Sequence, residues 1–366
     1  MKKVFKIPVI LGISLVLIGS YSSNAAQQAP STEFASAFTE SKQSSEPLSA
    51  DELKELISRA DNGSAREQYD LADIYVKGHG VPQSDEEAAT WLRKSAEQGY
   101  VEAQRSLGAM YAAGRGVPQD HAEAVNWLRK AADQGSATAQ SNLGAMYARG
   151  FGVPQDITEA VNWYRKAAEQ GDALGQMNLG GMYINGIGVR QNLTEGANWY
   201  RKAADQGLEM AQYSLGTMYA NGVGVRRNLT EAANWYRKAA EQGFTIAQHS
   251  LGMMYVNGQG VRRNDAEAVN WLRKAADQGF ASAQSDLGVM YANGRGVPQD
   301  YAEAINWYRK AADQGYAAGQ SNLGGMYVTG RGVPQDLDEA INWWRKAAEQ
   351  GFPEAIKNID MLGKGK

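Results

Sequence analysis

Cysteine is absent from all 366 residues. Its absence excludes disulfides, thiolate metal sites, a cysteine nucleophile and a lipidated cysteine. A chain of this length without crosslinks has to be held by packing. Histidine is scarce as well, with only His79, His121 and His249. No two of these have the short spacing of zinc ligands and no array of carboxylates flanks them, so neither metal nor cofactor is expected. The serine motifs G-x-S-x-G and, beyond the leader, S-x-x-K are missing too, which leaves serine hydrolysis without support. Nor is there an excess of positive charge: 37 Lys and Arg stand against 40 Asp and Glu, a net −3. A general nucleic-acid binder is expected to be basic, so that class is set aside.

The first 25 residues read as a signal peptide. Lys2, Lys3 and Lys6 precede the apolar run 7–19, and the small-residue segment 20–28 places Ser23 and Ala25 at the −3 and −1 positions. Cleavage after Ala25, or after Ala26, would release an exported chain with no stable membrane insertion. Its formal charge would fall from −3 to about −6 with loss of the three lysines. Residues 26–49 are rich in Ser, Gln and Pro without a sustained period and read as a flexible linker. The periplasm is the expected location, with secretion as the alternative.

What the chain has in abundance is repetition. Trp91, Trp127, Trp163, Trp199, Trp235, Trp271, Trp307 and Trp343 are each 36 residues apart, and a tyrosine series from Tyr75 to Tyr327 keeps the same step. A period of this length implies a solenoid. In the stretch 100–135, Ala103, Leu107, Met110 and Tyr111 share one face of a first helix that stops at Gly114. After the loop "GRGVPQ", Asp120 and Glu123 are expected to form a capping box, a pairing repeated from Ser84/Glu87 to Asp336/Glu339. Ala124, Trp127, Leu128 and Ala131 then form the stripe of a second helix, and Arg129 and Lys130 read as solvated helix-end charges. Gly108 recurs in the middle of first helices up to Gly324. Glycine there costs up to about 1 kcal/mol relative to alanine, which implies a close helix approach. Eight units run from Ser64 to Gly351, with a degenerate helix before them and a lone first helix after them; the solenoid spans 50–362 and a tail 363–366 follows.

The patterns A-x-x-x-L-G-x-M-Y, G-x-G-V-x-x-D and E-A-x-x-W-x-R-K-A-A-x-Q-G, in phase eight times, resemble the Sel-like repeat family, relatives of the tetratricopeptide repeats. The resemblance implies an all-α fold: a right-handed α-solenoid superhelix of antiparallel helix pairs that serves as a scaffold for protein complexes. The chain departs from the cysteine-rich secreted branch, which carries a disulfide in each unit.

Function should lie where the repeats differ. The first-helix series Arg105, Ser141, Met177, Tyr213, His249, Ser285 and Ser321 would line the concave surface implied by the family superhelix. Its large central members Met177, Tyr213 and His249 are expected to anchor a partner. Asn185, Asn221, Asn257 and Asn293 would bind a peptide backbone as donor and acceptor. The loops exchange "VPQD" for "VRQN" and "VRRN" in the central units, adding Arg190, Arg226, Arg227, Arg262 and Arg263. That basic strip would attract an acidic partner. The expected function is a non-enzymatic scaffold for a protein or peptide partner, with a cell-wall glycan or peptidoglycan fragment as the alternative.

Overall fold

The computed structural model describes residues 49–363, and they form eighteen α-helices. The signal peptide, all of the linker except Ser49, and residues 364–366 lie outside the described residues. The chain divides into two compact units, Met1–Gln206 and Gly207–Lys366. The first contains α1 (Ala50–Asp61), α2 (Ala65–Lys77), α3 (Asp85–Glu97), α4 (Val101–Ala113) and α5 (His121–Asp133). It continues with α6 (Ala137–Arg149), α7 (Ile157–Glu169), α8 (Ala173–Asn185) and α9 (Leu193–Asp205). The second begins with α10 (Glu209–Asn221), α11 (Leu229–Glu241), α12 (Thr245–Asn257), α13 (Asp265–Asp277) and α14 (Ala281–Asn293). It ends with α15 (Tyr301–Asp313), α16 (Ala317–Thr329), α17 (Leu337–Glu349) and α18 (Pro353–Gly363). Each is an all-α stack of paired antiparallel helices, the solenoid architecture expected from the period.

The pairs are held by the stripes read from the sequence. Ala124, Leu128 and Ala131 are fully buried, and Trp127 is 8% exposed. Each first helix ends on a left-handed glycine, as at Gly114 with φ 68°, whose N–H bonds Met110 O. The mid-helix glycines admit the partner helix: a Cβ on Gly108 would lie 2.8 Å from Leu128 Cγ, and one on Gly144 2.8 Å from the Tyr164 ring.

The capping boxes form only by half. Asp120 Oδ1 accepts the Glu123 N–H at 3.0 Å, as expected. The N-cap's own N–H is spent elsewhere, on Tyr111 O at 3.0 Å, and the same bond recurs up to Asp336 N to Tyr327 O. The repeat tyrosine thus fastens the loop to the first helix through its carbonyl. At two repeats the glutamate instead accepts the indole N–H, Trp307 to Glu303 and Trp343 to Glu339, both at 2.8 Å. A complete box occurs at α1, where Ser49 and Glu52 cap each other.

The terminal helices depart from the repeat. In α1, Glu55 and Arg59 occupy the places of Trp127 and Ala131 and pair with each other at 3.5 Å. In α18, Asp360 stands where Gly324 stands in α16. A Cβ on Gly324 would already be 2.6 Å from Trp344, so Asp360 does not allow the close helix approach made in α16, although α2 accommodates the smaller Ala72 at the same place.

Candidate functional site

The side chains expected to line a concave groove are largely consumed by stacking. Met177 is 3% exposed. That corrects its reading as an accessible anchor: a long apolar side chain on an inward face packs before it binds. Tyr213 is half-buried, with its ring 5.3 Å from Tyr236 and 5.4 Å from Phe244. Burial pushes its phenol above the ordinary tyrosine range, with hydrogen bonds from Ser250 and Thr217 pulling it back. His249 Nε2 lies 2.7 Å from Asp286 Oδ2 and 3.2 Å from Ser282 Oγ, and its ring packs edge-on to Phe280. Serine and carboxylate share one imidazole nitrogen, so the three do not form a relay of nucleophile, base and orienting acid. Further along, Asn322 Nδ2 donates to Ser285 Oγ at 3.3 Å. The Tyr213–Ser250, His249–Asp286 and Ser285–Asn322 links each join a residue to one 37 positions later in the next repeat, so the series works as a polar seam within the second unit.

The asparagines are half committed. Asn185, Asn221, Asn257 and Asn293 turn their amide N–H groups back to the carbonyl four residues earlier, at 2.8–3.0 Å. One N–H of each amide is thereby committed to its own helix, and the second N–H and the oxygen remain as donor and acceptor.

The arginines divide more usefully. Arg227 occupies the place of a loop glutamine and does that glutamine's work: its Nε bonds Ala220 O at 3.0 Å, as Gln191 Nε2 bonds Ile184 O at 2.8 Å. Arg263 pairs with Asp265 at 2.9 Å, and Asp265 also takes a bidentate bond from Arg295. Those two guanidiniums, Arg295 first, hold the Asp265 carboxyl well below the usual carboxylate range. Both arginines are therefore structural, a correction to the strip of five. Arg190 in the first unit, and Arg226 and Arg262 in the second, are exposed and carry no ion pair among the described residues. Arg190 borders an open cavity of about 560 Å³ with Tyr183 and Asn192.

Three networks escaped the sequence reading. The first joins glutamines 30 residues apart: Gln134 Nε2 donates to Gln104 Oε1 at 2.8 Å, and Gln104 Nε2 to Ala96 O at 3.1 Å. The ladder recurs in each unit, from Gln98–Gln68 to Gln350–Gln320. Its lower members are about 4–5% exposed, so their amides must be paired. In the second network, every repeat lysine sits over its tryptophan, with Nζ between 3.6 and 4.1 Å from the ring. In the third, repeat arginines donate to tyrosine hydroxyls of the next unit, as Arg93 to Tyr111 and Arg237 to Tyr255. Lys130 and Arg129 are thus stacking residues as well as helix-end charges, with Arg129 bonding Tyr147. The signal was present, because Gln, Lys and Arg recur in phase with Trp.

Among the described residues no cluster of three or more His, Asp or Glu has metal-holding geometry, and no helix is long and apolar enough to cross a membrane. The Sel1 repeat model matches eight consecutive segments spanning residues 68–352. Among solved structures, one similar to this chain is a protective antigen present in uropathogenic Escherichia coli strains that displays an SLR fold. It is 40% identical with a TM-score of 0.78, and the match covers 85% of this chain and 67% of the antigen. A Sel1 repeat protein from Oxalobacter formigenes is 36% identical with a TM-score of 0.62, over 87% and 95% of the two chains. No curated protein matches. With eight tandem matches and two relatives above one-third identity, the chain belongs to the Sel1 repeat family, whose members are non-catalytic repeat scaffolds.

Proposed function

We propose that this protein is an exported scaffold that holds a protein partner through an acidic segment. The carrying observation is a subtraction. The repeated lysines cover tryptophans, the repeated arginines reach tyrosines and the glutamines pair with one another. Arg190, Arg226 and Arg262 are exceptions to the repeat, exposed and without an ion pair among the described residues. A guanidinium left in water at a loop is well suited to carboxylate recognition. The 40% identical relative is a protective antigen, which accords with an exported chain; the periplasm is the proposed location and secretion the alternative.

The test is capture from an envelope extract by the full mature chain, compared with a variant carrying Arg190→Glu, Arg226→Glu and Arg262→Glu. Circular dichroism establishes that both are folded. A protein retained by the parent and lost by the variant supports the proposal; equal retention contradicts it. Glycan binding keeps one support. In the second unit a cavity of about 440 Å³ is lined by Glu209, Phe244, Thr245 and Ile246, and an aromatic wall beside polar groups suits a sugar. Binding of purified cell-wall fragments that Phe244→Ala abolishes would favour that reading.

A further inference from the structure

Near-identical repeats invite mispairing, because any unit presents almost the same faces as any other. Each unit must nevertheless dock on its own predecessor. One contact that differs from junction to junction lies where the G-x-G loop of one repeat crosses the start of the second helix of the repeat before it. A Cβ on Gly116 (φ 64°) would lie 2.0 Å from Asp85 O, and one on Gly296 2.1 Å from Asp265 O, so the loop backbone rests directly on that first helical residue.

The residue between the glycines is thereby set against the first residue of α3, α5, α7, α11, α13 or α15, 30 positions earlier. Their chemistries agree. Arg115 forks onto Asp85 at 2.9 and 2.6 Å, and Arg295 onto Asp265 at 3.3 and 2.8 Å. Phe151 stacks on His121 at 5.0 Å and 10°. Ile187 and Ile157 join one apolar cluster, and the Arg331 guanidinium lies 5.6 Å from the Tyr301 ring centroid. Leu229 with Gln259 is the unmatched pair.

We infer that these two positions form a recognition code between neighbouring repeats, which favours docking of each repeat on its own predecessor over mispaired docking within each unit. The code acts as much by rejection as by attraction. Arg115 placed over Ile157 would find no acceptor, and Phe151 over Asp85 would desolvate a carboxylate at a helix N-terminus. This holds whether or not the arginine-bearing loops bind an acidic partner.

The test is a double-mutant cycle in the full chain that transplants the second junction onto the first: Asp85→His, Arg115→Phe and both together. The readout is hydrogen-exchange protection of amides at the start of α3 and in loop 114–119. Each single variant is expected to lower protection about threefold to tenfold, and the double variant to recover most of it. Additive losses in the double variant would overturn the inference. If Arg115→Phe disrupts folding, the reciprocal transplant His121→Asp with Phe151→Arg runs the same cycle at the next junction, with the same two outcomes.

Discussion

Two glycine-to-alanine substitutions in equivalent helices should change stability in opposite directions. Gly144 and Gly325 both lie inside first helices, α6 and α16, where alanine gains up to about 1 kcal/mol of helix propensity. At Gly325 nothing lies within 4 Å of an added Cβ. The whole gain should appear, and Gly325→Ala should stabilise the chain by about 0.5–1 kcal/mol. At Gly144 the Cβ would be 2.8 and 2.9 Å from Tyr164 ring carbons and 3.2 Å from Ala160 O. Tyr164 is 4% exposed, so its ring cannot swing out to solvent without leaving the core. Overpacking of this kind costs about 1–3 kcal/mol, so after the propensity gain Gly144→Ala should destabilise by about 1–2 kcal/mol. Urea titration followed by circular dichroism gives the net values. Hydrogen exchange at α6 and α7 localises the change, since repeat arrays need not unfold in one step. If both variants shift the same way, the close approach of the second helix does not account for the recurring glycine.

Gln140→Leu should cost about 1–2 kcal/mol, because it strands the buried Ala132 carbonyl that now accepts from Gln140 Nε2 at 3.1 Å; urea midpoints measure it. Met177→Ala should cost about 2–5 kcal/mol of stability as a buried truncation, without a specific effect on partner capture in variants that remain folded. Burial pushes the Tyr200 phenol up to about 12. The folded state therefore favours the protonated form, so this contribution is complete below pH 10 and lost as pH rises through 12. The loss amounts to about 3 kcal/mol and should show in chemical denaturation at stepped alkaline pH.

The fold was legible because packing imposes a period on sequence. Trp127 and Leu128 had to recur for each pair to bury its stripe, and Gly108 had to recur because a second helix crosses there. The site was less legible, for a physical reason. Position along a helix tells which face a side chain occupies, but not whether a neighbour 37 residues away has already claimed it. Tyr213 and His249 read as free anchors until Phe244, Phe280 and Asp286 were in view. Arg227 and Arg263 looked like the rest of a basic strip, although one replaces a loop-fastening glutamine and the other serves Asp265. The Gln134–Gln104 ladder could have been found by asking why a long polar residue recurs strictly beside buried alanines.

The central claim is that residues shared by all repeats build the array and unpaired exceptions hold the partner. Its most direct test is a hydrogen-exchange footprint of the full mature chain with the protein it captures. Protection concentrated on loops 186–191, 222–227 and 258–263, which carry Arg190, Arg226 and Arg262, is the predicted result. Protection spread evenly over the lysine–tryptophan faces of the second helices, with those loops unchanged, would contradict it.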